Sequence, residues 1–392
     1  MPNLPQSELI KLASLIKKWG KELGFQQVGI SDIDLEKHKS HLTQWLEKGY
    51  HGSMTFMNSH GAKRYRPDLL VPGTVRIISV RMNYLPPDAQ FAKTLKQKQK
   101  AYISRYAHGR DYHKVLRNKL KKLGQKIKTH FSTTEFRPFV DSAPVLEHAI
   151  AEKAGIGWTG KHSLTINPEA GSWFFLGELF INLPLPVDQP ITEKCGNCSA
   201  CLTICPTQAI VAPYQVDARR CISYQTIEND NEIPESIRPL IGNRIYGCDD
   251  CQLICPWNRF AQITDELDFH TRDDLKAQDL ITLFAWDEST FLKKTEGSAI
   301  RRIGFEKWQR NIAVALGNAD YSASILHILQ AKLVDCSALV EEHVRWAIEQ
   351  QKLQQKSSQI VEKALSKKER FAQQRITLRL IRSVEKGLPR DA

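Results

Sequence analysis

The sequence predicts three successive parts: an α/β N-terminal domain, a small cysteine-dense module, and an α-helical C-terminal domain. Three observations predict this order. Strand-like and helix-like periodicities alternate up to about residue 185. Eight of the nine cysteines then fall between Cys195 and Cys255. Beyond about Arg301 the apolar residues recur at helical spacing.

In the first part, Thr74–Val80, Glu135–Val140 and Trp173–Leu183 are apolar runs rich in β-branched and aromatic residues, and are expected to be strands. Helices are expected over Glu8–Leu23, Tyr112–His130 and Val145–Ala154. The stretch Leu183-Pro-Leu-Pro-Val-Asp-Gln-Pro190 continues neither period and ends the domain. The expected divisions are 1–185 for the α/β domain, 186–260 for the cysteine module, 261–300 for a connector and 301–392 for the helical domain. Within the last, Trp308–Asn318, Ala323–Lys332 and Ser337–Lys352 carry apolar stripes. They are read either as a small helical-repeat unit or as a plain helical capping domain.

Cys195-Gly-Asn-Cys198-Ser-Ala-Cys201-Leu-Thr-Ile-Cys205-Pro206 has the CxxCxxCxxxCP spacing of bacterial ferredoxins, in which three thiolates wrap one 4Fe–4S cube and the fourth serves another. Zinc is the alternative, because paired CxxC units also build tetrahedral sites. The second run, Cys248-Asp-Asp-Cys251-Gln-Leu-Ile-Cys255-Pro256, has Ile245 where a first cysteine belongs. Two clusters need eight thiolates, and Cys221 is the unused cysteine nearby. The expectation is a ferredoxin-like module with Cys195, Cys198, Cys201 and Cys255 on one cluster and Cys205, Cys221, Cys248 and Cys251 on the second. Cys336 lies in an amphipathic stretch and is expected to be a buried, inert thiol.

Outside the cysteines, Arg137-Pro-Phe-Val-Asp141-Ser-Ala-Pro144 runs from a strand towards a helix. Asp141 is placed either to exchange a proton in a cleft or to cap that helix. Gly155-Ile-Gly-Trp-Thr-Gly160 matches GxGxxG, but a helical pattern precedes it where the dinucleotide fingerprint needs a strand. Asp111-Tyr-His113 begins a DxHxxG cobalamin motif, which fails at Leu116, so His113 is expected to be a polar member of a basic helix.

The chain has 392 residues, 42% of them hydrophobic, enough for two or three globular domains. No apolar run is long enough to span a membrane and the N-terminus has no signal-peptide core, so a cytoplasmic protein is expected. Reduced thiols in that compartment favour metal ligation over disulfides. The net charge of +12 is unevenly spread. Lys93–Lys128 holds thirteen basic residues against the single acid Asp111, and Val361–Ala392 holds nine against four. Such clusters suit a polyanion.

Taken together, Ser104-Arg-Tyr-Ala107, Asp111-Tyr-His113, Val140-Asp-Ser-Ala-Pro144, Glu152–Lys161, the split cysteine set, Ser223-Tyr224, Cys255-Pro-Trp-Asn258, Arg310-Asn311 and Gly317-Asn318 resemble the epoxyqueuosine reductase family. The resemblance covers nearly the whole chain in order. It implies that the N-terminal domain binds cobalamin without a histidine ligand, and that electrons pass singly through two 4Fe–4S clusters to cobalt. It also implies that the epoxide of epoxyqueuosine at the wobble position of a transfer RNA is reduced. The family's proton donor falls on Asp141, and its cofactor contacts on Arg64, Tyr106, Asp141, Trp158, Lys161, Ser163, Ser223 and Asp249. The C-terminal domain is then HEAT-like and contacts the anticodon arm. An electron donor such as a flavodoxin or ferredoxin is implied, with no membrane partner and a monomeric state. The rival is a reductive dehalogenase-like cobalamin and iron–sulfur reductase of a small substrate.

Overall fold

Four segments pair into one sheet, three of them almost wholly buried and the fourth, Phe136–Phe139, at its partly exposed edge. The computed structural model describes residues 5–360 and 378–385. Its principal elements are α1 (Gln6–Glu22), β1 (Gln27–Ser31), β2 (Arg76–Asn83), α2 (Tyr112–His130), β3 (Phe136–Phe139), α3 (Glu147–Lys153) and β4 (Phe174–Ile181). They are followed by α4 (Gly304–Asn318), α5 (Ala323–Lys332) and α6 (Ala338–Ile360). The sheet order is β1-β2-β4-β3, and every pair is antiparallel. The three expected strands are present. β1 joins them, a five-residue strand too short and too mixed to stand out by pattern.

Each strand faces two ways. Ile78, Val80, Met82, Leu179 and Ile181 join one core with Leu12 and Ile16 of α1 and Leu116, Leu120 and Leu123 of α2. Ile77, Phe139 and Phe180 pack on Ala149 and Ile150 of α3, and Phe174 and Leu176 on Ala151 and Ala154. The end of α3 lies so close to β1 that a Cβ on Gly29 would stand 2.0 Å from the Ala154 carbonyl oxygen. GxGxxG follows α3 and opens a two-stranded hairpin, Trp158–Thr159 with Thr165–Ile166, as its rejection as a dinucleotide fingerprint requires.

The cysteine-bearing segments are stitched to both sides. Ile204, Leu253, Ala261 and Phe269 enter the N-terminal core, which Leu380, Ile381 and Val384 also join. Ile222, Ile227, Ile241 and Ile245 belong instead to the core of α4, α5 and α6, together with Ala101 and Ile103. Tyr102–Ile103 pairs in parallel with Arg244–Tyr246, tying the two halves by backbone hydrogen bonds. Cys336 sits half-buried in the turn between α5 and α6 rather than buried within a helix. Most of the basic tail from Val361 lies outside the described residues.

Candidate active site

A cavity of about 440 Å³ opens between the sheet, the cysteine segments and the start of the C-terminal helices. Its walls include Tyr106, Tyr112, His113, Asp141, Glu147 and His148, the strand residues Phe174–Leu176, and Ser223, Tyr246 and Arg302. Asp141 follows β3 and has a φ of +47°, a left-handed conformation that costs a non-glycine residue energy and needs local compensation. Two contacts supply it. The Asp141 N–H donates to Glu147 Oε1 at 2.6 Å, and the Tyr112 hydroxyl donates to Asp141 Oδ2. His113 Nε2 lies 3.8 Å from the same oxygen. Helix α3 begins only at Glu147 and has no side-chain cap, so Asp141 is not a helix cap.

Two further acids stand beside Asp141, Glu178 fully buried and Glu147 half-buried on the cavity wall. Glu178 lies in the middle of β4, fully buried, with its Oε1 accepting the Ser79 hydroxyl at 3.3 Å. Its carboxyl faces that of Glu147, the first residue of α3. Burial, and then the neighbouring Asp141, pushes Glu147 up to about 8. Burial, followed by Glu147, raises Glu178 well above the carboxylate range.

The same cavity is lined by Cys205, Cys221, Cys248 and Cys251. Burial raises the Cys251 thiol well above its ordinary value, and Cys221 and Cys205 raise it further. Cys221 is raised by burial and, less, by Cys205, and Cys248 by burial and, less, by Cys251. The other four thiols form a second neighbourhood, none of them on the cavity wall. Cys255 is pushed up to about 12 by burial and by Cys195, Cys201 and Cys198, and Cys201 to about 11 by burial, Cys195 and Cys198. Cys198 is exposed. The runs therefore cross: the last cysteine of each is near the thiols of the other. Among the described residues no three His, Cys, Asp or Glu side chains converge tightly enough for a single metal ion.

Of the residues assigned to the cofactor, Tyr106, Asp141 and Ser223 line the cavity. Asp249 stands one layer behind, accepting from the Tyr102 hydroxyl at 2.9 Å, the Arg105 N–H at 3.0 Å and Ser104 Oγ. Trp158 and Lys161 do not reach the wall. They serve the exposed cysteine loop, where Lys161 Nζ donates to the carbonyls of Gly196 and of Cys198, the latter at 3.0 Å. Trp158 and the Lys161 N–H face the Cys195 sulfur and oppose the upward shift that burial gives it. Arg64 donates to the Ser59 and Phe56 carbonyls of its own loop, and Ser163 occupies a left-handed turn position with φ +68°. His113, by contrast, belongs to the site and not to a merely basic helix face. Glu178 was missed too, although a lone acid inside Phe-Phe-Leu-Gly-Glu-Leu-Phe-Ile is a visible signal.

The family model described as epoxyqueuosine reductase QueG, DUF1730 matches residues 64–142, and a 4Fe–4S double cluster binding domain matches residues 194–258. The chain is 61% identical to the epoxyqueuosine reductase of Escherichia coli K12, over 98% of this chain and 99% of that protein. It is 56% identical to that of Vibrio cholerae, over 97% and 99%. Among solved structures, an epoxyqueuosine reductase bound to an epoxyqueuosine-modified tRNA-Tyr stem loop superposes with a TM-score of 0.81 at 28% identity, covering 96% of this chain and 99% of that one. The Bacillus subtilis enzyme, seen with its catalytic aspartate loop swung out of the active site, gives 0.80 at 28% identity, covering 96% and 98%.

Proposed function

The chain belongs to the epoxyqueuosine reductase family, and from that premise we propose that it removes the epoxide oxygen of epoxyqueuosine at the wobble position of a transfer RNA. The products are queuosine and water, which requires two electrons and two protons for each oxygen removed. The observation that carries the reading is the cavity: Asp141 and the thiols Cys205, Cys221, Cys248 and Cys251 line one and the same space.

The residues fit the two groups this chemistry needs. Eight thiols gather in two neighbourhoods, and Cys201, Cys221, Cys248, Cys251 and Cys255 are shifted upward by burial and by neighbouring thiols; this suits iron, which relieves that repulsion by binding thiolates. We assign Cys195, Cys198, Cys201 and Cys255 to one 4Fe–4S cluster and Cys205, Cys221, Cys248 and Cys251 to the other. The cavity offers cobalamin aromatic and aliphatic walls in Tyr106, Phe174, Phe175 and Leu176. It also offers a buried ring nitrogen, His162 Nε2, without a hydrogen-bond partner. Tyr106 and Ser223, with Asp249 behind them, would hold the corrin. Arg64, Trp158, Lys161 and Ser163 would meet only those parts of it that extend past the cavity. When bound, the clusters and the corrin supply single electrons, which the protein's side chains cannot do.

Asp141 supplies a proton. Its Oδ2 is engaged by Tyr112, so Oδ1 is the oxygen that carries the acid proton to the departing epoxide oxygen. Expelling that oxygen unprotonated would leave an alkoxide in a largely apolar cavity, which is costly. The exposed Cys198 marks where an electron donor such as a flavodoxin or ferredoxin would approach, one cluster removed from the cavity. The tRNA anticodon arm would lie over the basic α2 face and the C-terminal helices, which we take as HEAT-like. A monomer in the cytoplasm completes the reading, and no helix among the described residues is long and apolar enough to cross a membrane.

The test is an anaerobic assay with reconstituted clusters, a chemical reductant and epoxyqueuosine-containing tRNA, with and without cobalamin. Cobalamin-dependent loss of one oxygen mass from the nucleoside is expected, and Asp141→Asn should lose it with both cofactors still bound. Unchanged nucleoside beside intact, reducible clusters would refute the substrate assignment.

A further inference from the structure

Two carboxyls face each other behind Asp141, and among the described residues no cation pairs them. The groups that act most strongly on Glu147 after burial are Asp141 and Glu178, and on Glu178 they are Glu147, Ser79 and Asp141. His148, next to Glu147 on α3, turns its Nδ1 to Thr165 Oγ1 at 2.7 Å. Glu178 Oε1 is taken by Ser79, and Glu178 Oε2 has no donor. Two acceptors can bond only if one of them carries a proton, and burial without a counter-charge keeps that proton in place.

The partner of this pair is the loop after β3. Asp141 holds a left-handed φ there, and the backbone bond from its N–H to Glu147 Oε1 is one of the two contacts that fix the residue. The bond is not a generic helix-start contact, because its acceptor is the side chain of Glu147, whose carboxyl neighbours the buried Glu178 of β4. β4 is rigid, so Glu178 gives Glu147 a fixed anchor and Glu147 passes that position to the loop.

We propose that Glu147 is a positioning residue, a latch seated against Glu178 that holds the Asp141 loop against the cavity. Glu147 acts through the Asp141 backbone, whose N–H it accepts, and so sets where the Asp141 carboxyl stands. The proposal rests on Asp141 as the proton donor for its kinetic consequence, but its structural half does not.

Two readouts separate these halves. In the first, amide exchange across residues 141–146 is followed by mass spectrometry in the tRNA-free protein. Glu147→Leu, which keeps bulk and loses the acceptor, should speed exchange there by roughly tenfold or more, while Glu147→Gln, which keeps an acceptor oxygen and can donate to Glu178, should stay near wild type. In the second, Glu147→Leu should lower kcat by roughly 30-fold with KM for tRNA nearly unchanged, and Glu147→Gln should restore turnover to within roughly threefold. Should the leucine variant fold poorly, Glu147→Ala is read in the same way. Exchange in the leucine variant equal to wild type, or a glutamine variant as impaired as the leucine one, would overturn the latch. Full turnover by Asp141→Asn would instead remove the proton-donor reading and leave the exchange result standing.

Discussion

Arg244 and Asp250 form an ion pair beside the second group of thiols, with only 8% and 3% of their side chains exposed. The guanidinium donates to Asp250 at 2.9, 2.8 and 2.7 Å, and Nη1 adds the Ile241 carbonyl at 3.1 Å. Burial works against the charge, yet the attraction of Asp250 and then of Cys248 keeps the guanidinium well above its ordinary pKa. Arg244→Met removes the cation and leaves Asp250 buried between Cys248 and Cys251 with no counter-charge. Breaking such a pair from one side costs about 3–5 kcal/mol, mostly the penalty of the stranded carboxylate. The double variant Arg244→Met with Asp250→Leu strands nothing and should recover most of that loss. Urea unfolding of the anaerobic, cluster-loaded protein measures both, through the midpoint at constant slope. A single variant costing less than about 1 kcal/mol, or a double variant no better than the single, would refute the argument that desolvation governs this site.

Two further outcomes follow from the same geometry. Burial and the neighbouring Asp141 push the Glu147 carboxyl up to about 8 in the folded protein, above the ordinary 4.5, so the folded state binds more protons than the unfolded chain between those values. That part of the stability is fully present below about 4.5 and declines as pH rises to about 8; Glu178→Gln should flatten the slope of the urea midpoint against pH, and an unchanged slope would show that the pair does not titrate there. Cys195→Ala and Cys221→Ala should each lose about half of the iron and sulfide. Spectra of the two variants should show that different clusters remain, and identical residual spectra would contradict the ligand sets.

The legible parts were those with a local rule. Helix α2 was read from its apolar stripe alone, and Ala323–Lys332 likewise, because a period of 3.6 is written in consecutive residues. The thiols were legible because cluster ligation constrains spacing. The crossing of the two runs was expected from the ferredoxin spacing, in which the fourth thiolate serves the other cluster, and the incomplete second run called for Cys221 besides. β1 escaped, because a five-residue strand borrows its stability from β2 and from Ala154 rather than from its own pattern. Trp158 and Lys161 were assigned to the cofactor by resemblance, and the structure sets them on the Cys195 loop, an arrangement that depends on how the hairpin after α3 folds back.

By itself, then, the sequence determined which chemistry this chain carries: eight thiols at ferredoxin spacing, one aspartate at the end of a strand, and a basic surface for a polyanion. Only the tertiary structure decided which of those groups meet. It alone put one thiol neighbourhood on the cavity wall and kept the other off it, and it moved His113 from a helix surface to within 3.8 Å of Asp141. It also buried Glu178 against Glu147 across the packing of α3 on β4. The physical reason is that spacing along the chain is a local property. Proximity across a sheet, and the desolvation that comes with it, exists only once distant segments have packed.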